Sequence, residues 1–328
     1  MSAHVAVVFG GPSAEAAVSR VSAGAVANAL ASAGYAVTQL ELNRELPREL
    51  AAHAIEAVVP TTHGPLGEDG CLQGLLEVLE VPYSGSGVLA SAIAADKGMA
   101  RRVFEQAGLP IAKGRLIHEA QHDSAALERV RAELGGAVIV KPCSGGSAIG
   151  VGRVGANDPD QKLRDALRAA FEVDHSVVIE AFRLGDEVTC GVLEDANGTA
   201  VALPPTRILA KAADWYDFKS RYGTGGSEHQ CPAPFSPELI ERVQTVAVAA
   251  HRAVQARDLS RVDLIVSEQT GDVTLLEVNT LPGMTPTSLF PEAAQIAGVS
   301  FEELCSRLAQ KALARAGRRT PKVLEMPD

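Results

Sequence analysis

The sequence predicts a mixed α/β (α+β) fold that opens with a parallel-sheet domain. Three observations carry this. Near the N-terminus, apolar runs of strand length alternate with helix-length segments, as in a parallel sheet covered by helices. Glycine-containing turns follow several of these runs, at Gly10-Gly11, His63-Gly64 and Ser144–Ala148. Toward the C-terminus the alternation gives way to strand pairs joined through turn formers, at Asn197-Gly198 and over Gln269–Asp272.

Taken in order, Val5–Phe9 is a short apolar strand and residues from Glu15 to Ala33 form a helix that Gly34 stops. Val37–Leu42 and Ile55–Thr62 are strands. Leu72–Leu79 and Val88–Phe104 read as helices, separated by Pro82 and Gly85-Ser86-Gly87. Beyond Ile111 come a strand at Gly114–Ile117, a helix at Ala125–Leu134 and a strong strand at Ala137–Lys141. A small-residue loop, Pro142–Ala148, leads directly into a strand at Ile149–Val154. Strand, glycine-rich loop and strand make a hairpin, unlike the strand-loop-helix of a dinucleotide or P-loop unit. A helix at Gln161–Phe171 and a strand at Val177–Glu180 follow. Glu187–Leu193 and Thr199–Leu203 are strands, and Asp214–Gly226 is a polar, mobile surface loop. Pro237–Gln255 is a long helix, with Ser236 as its N-cap and Pro237 at its first position. Arg261–Ser267 and Val273–Val278 form a hairpin. Two short helices and a frayed tail from Gly317 complete the chain.

The 328 residues suffice for two or three domains, and 46% hydrophobic with 21% charged residues is an ordinary globular balance. A net charge of -10 argues against a nucleic-acid partner, and 4% aromatics argue against a base-stacking platform. The five cysteines are odd in number and form no CxxC, which fits free thiols in a reducing compartment. The N-terminus has no basic region before its apolar run, and no uninterrupted apolar run reaches the ~18 residues of a membrane span. The expected location is the cytoplasm, with no membrane partner.

The sharpest local signal is Arg261-Val262-Asp263 together with Glu277-Val278-Asn279. Residues two apart in a strand share a face. If the hairpin pairs these segments, two carboxylates, an amide oxygen and a guanidinium converge. Three hard oxygen donors suit Mg²⁺ or Mn²⁺ beside a phosphate. One such pair alone would read as an exposed polar face, but both strands are otherwise apolar and a buried carboxylate needs a partner. The Ser144–Ala148 loop can lay backbone N–H groups along phosphates, with Lys141 and Lys97 as cations. His63–Gly70 is dense in turn formers at a strand end, where α/β sheets collect ligands. Glu15, after Gly10-Gly11, is either a helix-start charge or a ligand for a substrate ammonium.

Together, the segments VVFGGPSAEAAVS, HGPLGEDGCLQGLLE, YSGSGVLASAIAADK, VKPCSGGSAIGV, YDFKSRY, CPAP, RVDL and LEVNTLPGMTPTSL resemble the D-alanine–D-alanine ligase family, from Val5 to about Ala316. The resemblance implies an ATP-grasp fold with a Rossmann-like N-terminal parallel-sheet domain. It implies three units: 1–95 as a substrate domain, 96–181 as the small central domain, and 182–328 as the domain with metal and substrate sites. It implies an ATP-dependent ligation of two D-alanines through an acyl phosphate, serving peptidoglycan precursors. Small-molecule substrates and a homodimer follow from the same source.

By position, Asp263, Glu277 and Asn279 resemble the magnesium ligands of that family. Lys97, Lys141 and Arg221 resemble its phosphate contacts. Glu180 resembles the adenine contact and Glu187 the ribose contact, with Phe182 also at the nucleotide. Glu15 resembles the carboxylate that holds the first ammonium, with His63 beside that substrate. Ser147 and Tyr222 resemble its partners in a hydrogen-bonded clasp. Arg261 and the Gly283 N–H resemble oxyanion stabilisers, and Ser288 and Leu289 a wall of the second amino-acid site. The chain departs from the family pattern at Gly145, Ala148, Ala181, Arg221 and Ala16. A ligase making another dipeptide or a depsipeptide, and a weakly active nucleotide-binding homologue, are the other readings the sequence leaves open.

Overall fold

The computed structural model describes residues 2–13, 15–121, 130, 132–210 and 227–316. The strands described fall into three sheets. The first is parallel, in the order β2-β1-β3, from β1 (His4–Phe9), β2 (Ala36–Glu41) and β3 (Ala57–Pro60). Its central strand is covered on both faces, so Val5 to Val8 are fully buried. A strand covered on both faces needs no polar alternation, which is why this segment reads as a continuous apolar run. One face packs on α1 (Ala16–Ser32) and on the C-terminal helix, Phe301–Leu313, through Val26, Leu30, Leu304 and Leu308. The other packs on α2 (Leu46–Ala52) and α3 (Cys71–Val78), through Leu46, Leu50, Leu72 and Leu76.

The second sheet is antiparallel, in the order β4-β7-β5-β6, from β4 (Gly114–His118), β5 (Val138–Pro142), β6 (Gly152–Val154) and β7 (Ser176–Ala181). Helix α6 (Asp160–Phe171) covers it with Leu163, Leu167 and Ala170. The third sheet runs β11-β10-β8-β12-β13 with β9 beside β8, from β8 (Asp186–Glu194), β9 (Ala200–Ala202), β10 (Thr206–Ala210), β11 (Ser227–Gln230), β12 (Leu259–Val266) and β13 (Val273–Asn279). Helix α7 (Pro237–Ala253) packs against it. Ser236 caps that helix as expected, its hydroxyl accepting from the Leu239 N–H, with Pro237 in the first turn. Helices α8 (Leu289–Ile296) and α9 (Phe301–Leu313) close the chain.

Some expectations need correction. The helix read over Val88–Phe104 is two helices, α4 (Val88–Ala95) and α5 (Lys97–Gln106). Asp96 is extended between them and its carboxylate accepts from the Met99 N–H at 2.8 Å, a strong N-cap. The Lys97 N–H then donates to Cys143 O at 2.8 Å, which ties the start of α5 to the end of β5. The strand expected from Ile149 begins only at Gly152, because Ser147, Ala148 and Gly150 hold positive φ of 55°, 58° and 71°. Helix α2 and strands β10 and β11 were not foreseen. The helix expected over Ala125–Leu134 falls largely outside the described residues. The loop Asp214–Gly226 and the tail from Gly317 lie wholly outside them.

Candidate active site

The β12–β13 hairpin sets Arg261 opposite Asn279 and Asp263 opposite Glu277, with a bulge immediately after Asp263. Along β12 the alternate residues Val262, Leu264 and Val266 are fully buried, so Arg261 and Asp263 share the other, partly open face. The expected convergence of two carboxylates, an amide and a guanidinium is therefore built by strand pairing alone. Asp263 accepts from Arg261 Nε at 2.9 Å and Nη2 at 2.8 Å, and from Thr189 Oγ1 at 2.8 Å. Glu277 lies 3.7 Å from Lys97 Nζ. The Asn279 amide oxygen accepts from the Leu281 N–H. No group of three or more His, Cys, Asp or Glu suited to a metal occurs among the described residues. The set here is instead two carboxylates and one amide oxygen, hard donors in a partly buried place, which fits a divalent cation that takes its remaining oxygens from water and phosphate.

Lys97 connects this pair to the glycine-rich loop, since its Nζ also donates to Gly145 O at 2.7 Å. The loop is pinned at its start by Asp174, whose carboxylate accepts from the Ser144 N–H. At its far side Ser147 Oγ donates to Glu15 Oε1 at 2.5 Å, across 132 residues of sequence. Half of the expected clasp is thus present. Its other member, Tyr222, lies outside the described residues, as does the expected phosphate contact Arg221.

His63 is buried beside Glu15 and Arg261, and its Nε2 finds no hydrogen-bond partner among the described residues. Burial lowers its pKa; Arg261 acts in the same direction, while Glu15 and a backbone hydrogen bond to Leu281 oppose. Glu68, which the sequence reading passed over, belongs to the same cluster. Burial first and Glu15 second push its carboxyl up to about 7; Glu277 adds to the rise and Lys97 opposes it. Three acidic side chains from three segments thus converge, which is favourable only where cations or a bound ammonium answer them.

Lys97 also lines a cavity between the second and third sheets. Lys141, Glu180 and Val178 line it from the second sheet and Leu275 and Leu276 from the third, together with Arg101, Phe104 and Ile111. Glu180 accepts from Lys141 Nζ at 2.8 Å on one oxygen and from Arg101 Nη1 at 2.8 Å on the other. Burial works against its charge, but these two cations prevail and its pKa is lowered. Arg101 was not singled out by the sequence, where it is one basic residue in an amphipathic helix. Phe182 lies under the Arg153 guanidinium, 4.1 Å from its ring centre. Glu187 lies near the start of β8, paired with Ile208 and Ile265. Neither Phe182 nor Glu187 lines the cavity itself.

Gly283 and Ser288 meet in the turn after β13. A side chain at Gly283 would come within 3.1 Å of Ser288 Oγ. That hydroxyl accepts from the Thr285 N–H and lies 2.7 Å from Thr285 Oγ1. Ser288 is the residue before α8 and Leu289 its first. Lys97 is the common member: it lines the cavity that holds the oriented carboxylate of Glu180, faces the metal-suited carboxylate of Glu277, and reaches the loop whose Ser147 meets Glu15. Such an arrangement can hold a polyphosphate near Lys97 and a small cationic substrate near Glu15.

Residues 103–310 match the family described as D-ala D-ala ligase C-terminus, and residues 39–86 match D-ala D-ala ligase N-terminus. A D-alanine–D-alanine ligase of Geobacter sulfurreducens is 41% identical, covering 93% of this chain and 92% of its own. One of Desulforudis audaxviator is 42% identical, covering 96% of this chain and all of its own. Among solved structures, the D-alanine–D-alanine ligase of Bacillus anthracis complexed with ATP has a TM-score of 0.81 at 30% identity, over 97% of this chain and 99% of that one. A D-Ala:D-Ser ligase from Enterococcus faecalis has a TM-score of 0.81 at 26% identity, over 95% of this chain and all of its own.

Proposed function

This chain belongs to the D-alanine–D-alanine ligase family, and from that membership we propose how its residues carry the reaction. The chain is an ATP-dependent ligase of the ATP-grasp fold that joins two D-alanines into the dipeptide used for peptidoglycan precursors. The observation that best supports this reading of the site is the double engagement of Lys97. Its ammonium touches the phosphate-type loop at Gly145 and the metal-suited carboxylate Glu277. In this reading one cation serves both the terminal phosphate and the carboxylate pair.

A carboxylate is a poor electrophile, so the first D-alanine must be activated. One of its carboxylate oxygens attacks the γ-phosphorus of ATP, and the bond to the ADP oxygen breaks. The amine of the second D-alanine then attacks the acyl carbon, loses a proton, and phosphate departs with the C–O electron pair. Glu15, held by Ser147, takes the first ammonium, with His63 beside it. Lys97 and Lys141 answer phosphate charge, and Glu180, Phe182 and Glu187 serve the base and ribose. Arg261 and the Gly283 N–H face the oxyanion of the second step. Ser288 and Leu289 bound the second amino acid. Arg221 and Tyr222 join this reading on their sequence positions alone. Asp263, Glu277 and Asn279 would hold Mg²⁺ or Mn²⁺, which when bound supplies charge neutralisation during phosphoryl transfer.

The division into 1–95, 96–181 and 182–328, a homodimer and a cytoplasmic location belong to the same reading. Among the described residues no helix is long and apolar enough to cross a membrane. The test is direct. Purified protein with ATP, Mg²⁺ and D-alanine should release phosphate and yield one dipeptide per phosphate, read by mass spectrometry. Phosphate released without dipeptide would overturn the reading.

A further inference from the structure

Arg101 and Lys141 divide Glu180 between them, but they are not equivalent. Their side chains and that of Glu180 are 13%, 15% and 14% exposed, so all three lie in a poorly solvated place. Arg101 also donates through Nη2 to Ala112 O at 2.5 Å, so its planar fork joins α5, the segment before β4, and Glu180 on β7. Among the described residues, Lys141 Nζ hydrogen-bonds only Glu180, from the end of a flexible stem. A lysine of that kind turns readily toward a new anion, whereas a guanidinium fixed at both arms does not.

Gly114 supplies independent support. It stands opposite Glu180 in the β4–β7 pair, and its φ lies outside the left-handed range, so its backbone does not require glycine. A side chain there would come within 2.8 Å of Ile179 O, 3.0 Å of Arg101 Cζ and 3.0 Å of Glu180 Cγ. The glycine is needed for room, and part of the room it leaves is filled by this arginine–glutamate contact.

The nucleotide reading of the cavity, on which this step rests, brings a polyphosphate past Lys141. If that lysine turns to phosphate, Glu180 loses one of its two cations while still buried. A buried carboxylate left without a partner takes up a proton or swings away. Either change would remove the acceptor that a base amino group needs. We propose that Arg101 is the positioning residue for base selection: its fixed fork keeps Glu180 an oriented acceptor while Lys141 is free to exchange Glu180 for phosphate. The cavity then favours a 6-amino purine over a 6-oxo purine because Arg101 holds Glu180 in place.

The experiment compares equilibrium binding of ATP, inosine triphosphate and inorganic tripolyphosphate to the full chain and to Arg101→Gln, Arg101→Lys and Gly114→Ala. Loss of a charge-assisted contact predicts ATP weakened about tenfold or more in Arg101→Gln. Inosine triphosphate and tripolyphosphate should be nearly unaffected, so the ATP preference narrows by the same factor. KM for ATP should rise more than kcat falls. Arg101→Lys should restore part of the preference. Gly114→Ala, which displaces the brace without removing charge, should also narrow it and serves if Arg101→Gln does not fold. A variant set in which all three ligands weaken together, or in which the ATP preference is kept, overturns the proposal. A wild-type protein with no preference for ATP would instead overturn the nucleotide reading of the cavity.

Discussion

The guanidinium of Arg261 covers both carboxylate oxygens of Asp263, two residues along the same strand. Thr189 adds a third hydrogen bond at 2.8 Å on Oδ1. A residue suited to hold a cation is therefore already neutralised by its own neighbour. Any cation drawn to Asp263 must compete with that fork for lone pairs, and a fork displaced from Asp263 can turn toward substrate.

The consequence is a split between binding and turnover. Arg261→Met should tighten Mn²⁺ binding to the nucleotide-free protein several-fold, by removing the competing guanidinium. It should also lower turnover by about a hundredfold or more, the usual cost of one oxyanion donor. Electron paramagnetic resonance of free Mn²⁺ and steady-state phosphate release measure the two effects. Weaker Mn²⁺ binding in the variant would show that the fork prepares the site and does not compete for it.

Glu277→Gln tests the pair from its other side. The substitution keeps volume but removes a charge that faces Lys97 at 3.7 Å. Phosphoryl transfer should be lost while the thermal midpoint stays within a few degrees of wild type. Turnover near the wild-type rate would remove the proposed metal site.

The clasp between Ser147 and Glu15 should set affinity for the first amino acid. A hydrogen bond to a charged group contributes roughly 1.5–3 kcal/mol. Ser147→Ala should therefore raise KM for the first D-alanine about tenfold or more, with a smaller change in KM for ATP. Alanine at a φ of 55° is no better placed than serine, so backbone strain does not confound the comparison. Equal changes in both KM values would point to a general loosening of the loop.

Glu68 gives a pH dependence whose sign follows from its raised pKa. Unfolded, it releases its proton near the ordinary value of 4.5; folded, at about 7. Between these values the folded state binds more protons, so stability falls as pH rises through the window. The full effect is on the order of 3–4 kcal/mol, from roughly 1.4 kcal/mol for each pH unit between 4.5 and about 7. His63, with its pKa lowered, acts oppositely below its ordinary value of 6.5, since there the unfolded chain binds the extra proton. The comparison must therefore be wild type against Glu68→Gln. In the nucleotide-free protein, the stability difference should move in favour of the variant from pH 4.5 to 7.5, by denaturant midpoints. A difference independent of pH would mean that Glu68 is not held protonated by burial and its acidic neighbours.

What the sequence disclosed and what it hid differ in physical kind. Arg261, Asp263, Glu277 and Asn279 were legible because polar residues at strand period inside apolar strands have few explanations other than a shared functional face. The loop after β5 was legible from its small residues. The break at Asp96 was not, since residues compatible with a helix run on past it and only the cap geometry separates the two helices. Strand β11, Ser-Glu-His-Gln, has no apolar alternation and forms through pairing with β10. Arg101 and Glu68 were hidden for a common reason. Each is an ordinary charged residue until folding brings it to Glu180 or to Glu15, and neither contact has a local signature.

The last prediction concerns the second substrate. Leu289 begins α8, and the Ser288 hydroxyl beside it is already engaged with Thr285. If these two residues bound the second amino acid, that wall offers a methyl group contact but gives a hydroxymethyl no new partner. A hydrophobic site rejects an added hydroxyl only modestly, on the order of a hundredfold, because the added group fits and loses mainly its hydration. D-Serine should therefore be used as second substrate at roughly one-hundredth the kcat/KM of D-alanine. Leu289→Ala opens space and leaves the wall apolar, so it should relax the preference for D-alanine by a few-fold at most. Leu289→Ser or Leu289→Asn adds a partner and should relax it further than alanine does. Competition between D-alanine, D-serine and D-lactate at neutral pH, with products separated by mass, measures all of these at once. If the polar variants behave as the alanine variant does, space and not hydrogen bonding sets the choice. If none of the three shifts the product ratio, Leu289 does not border the second amino acid.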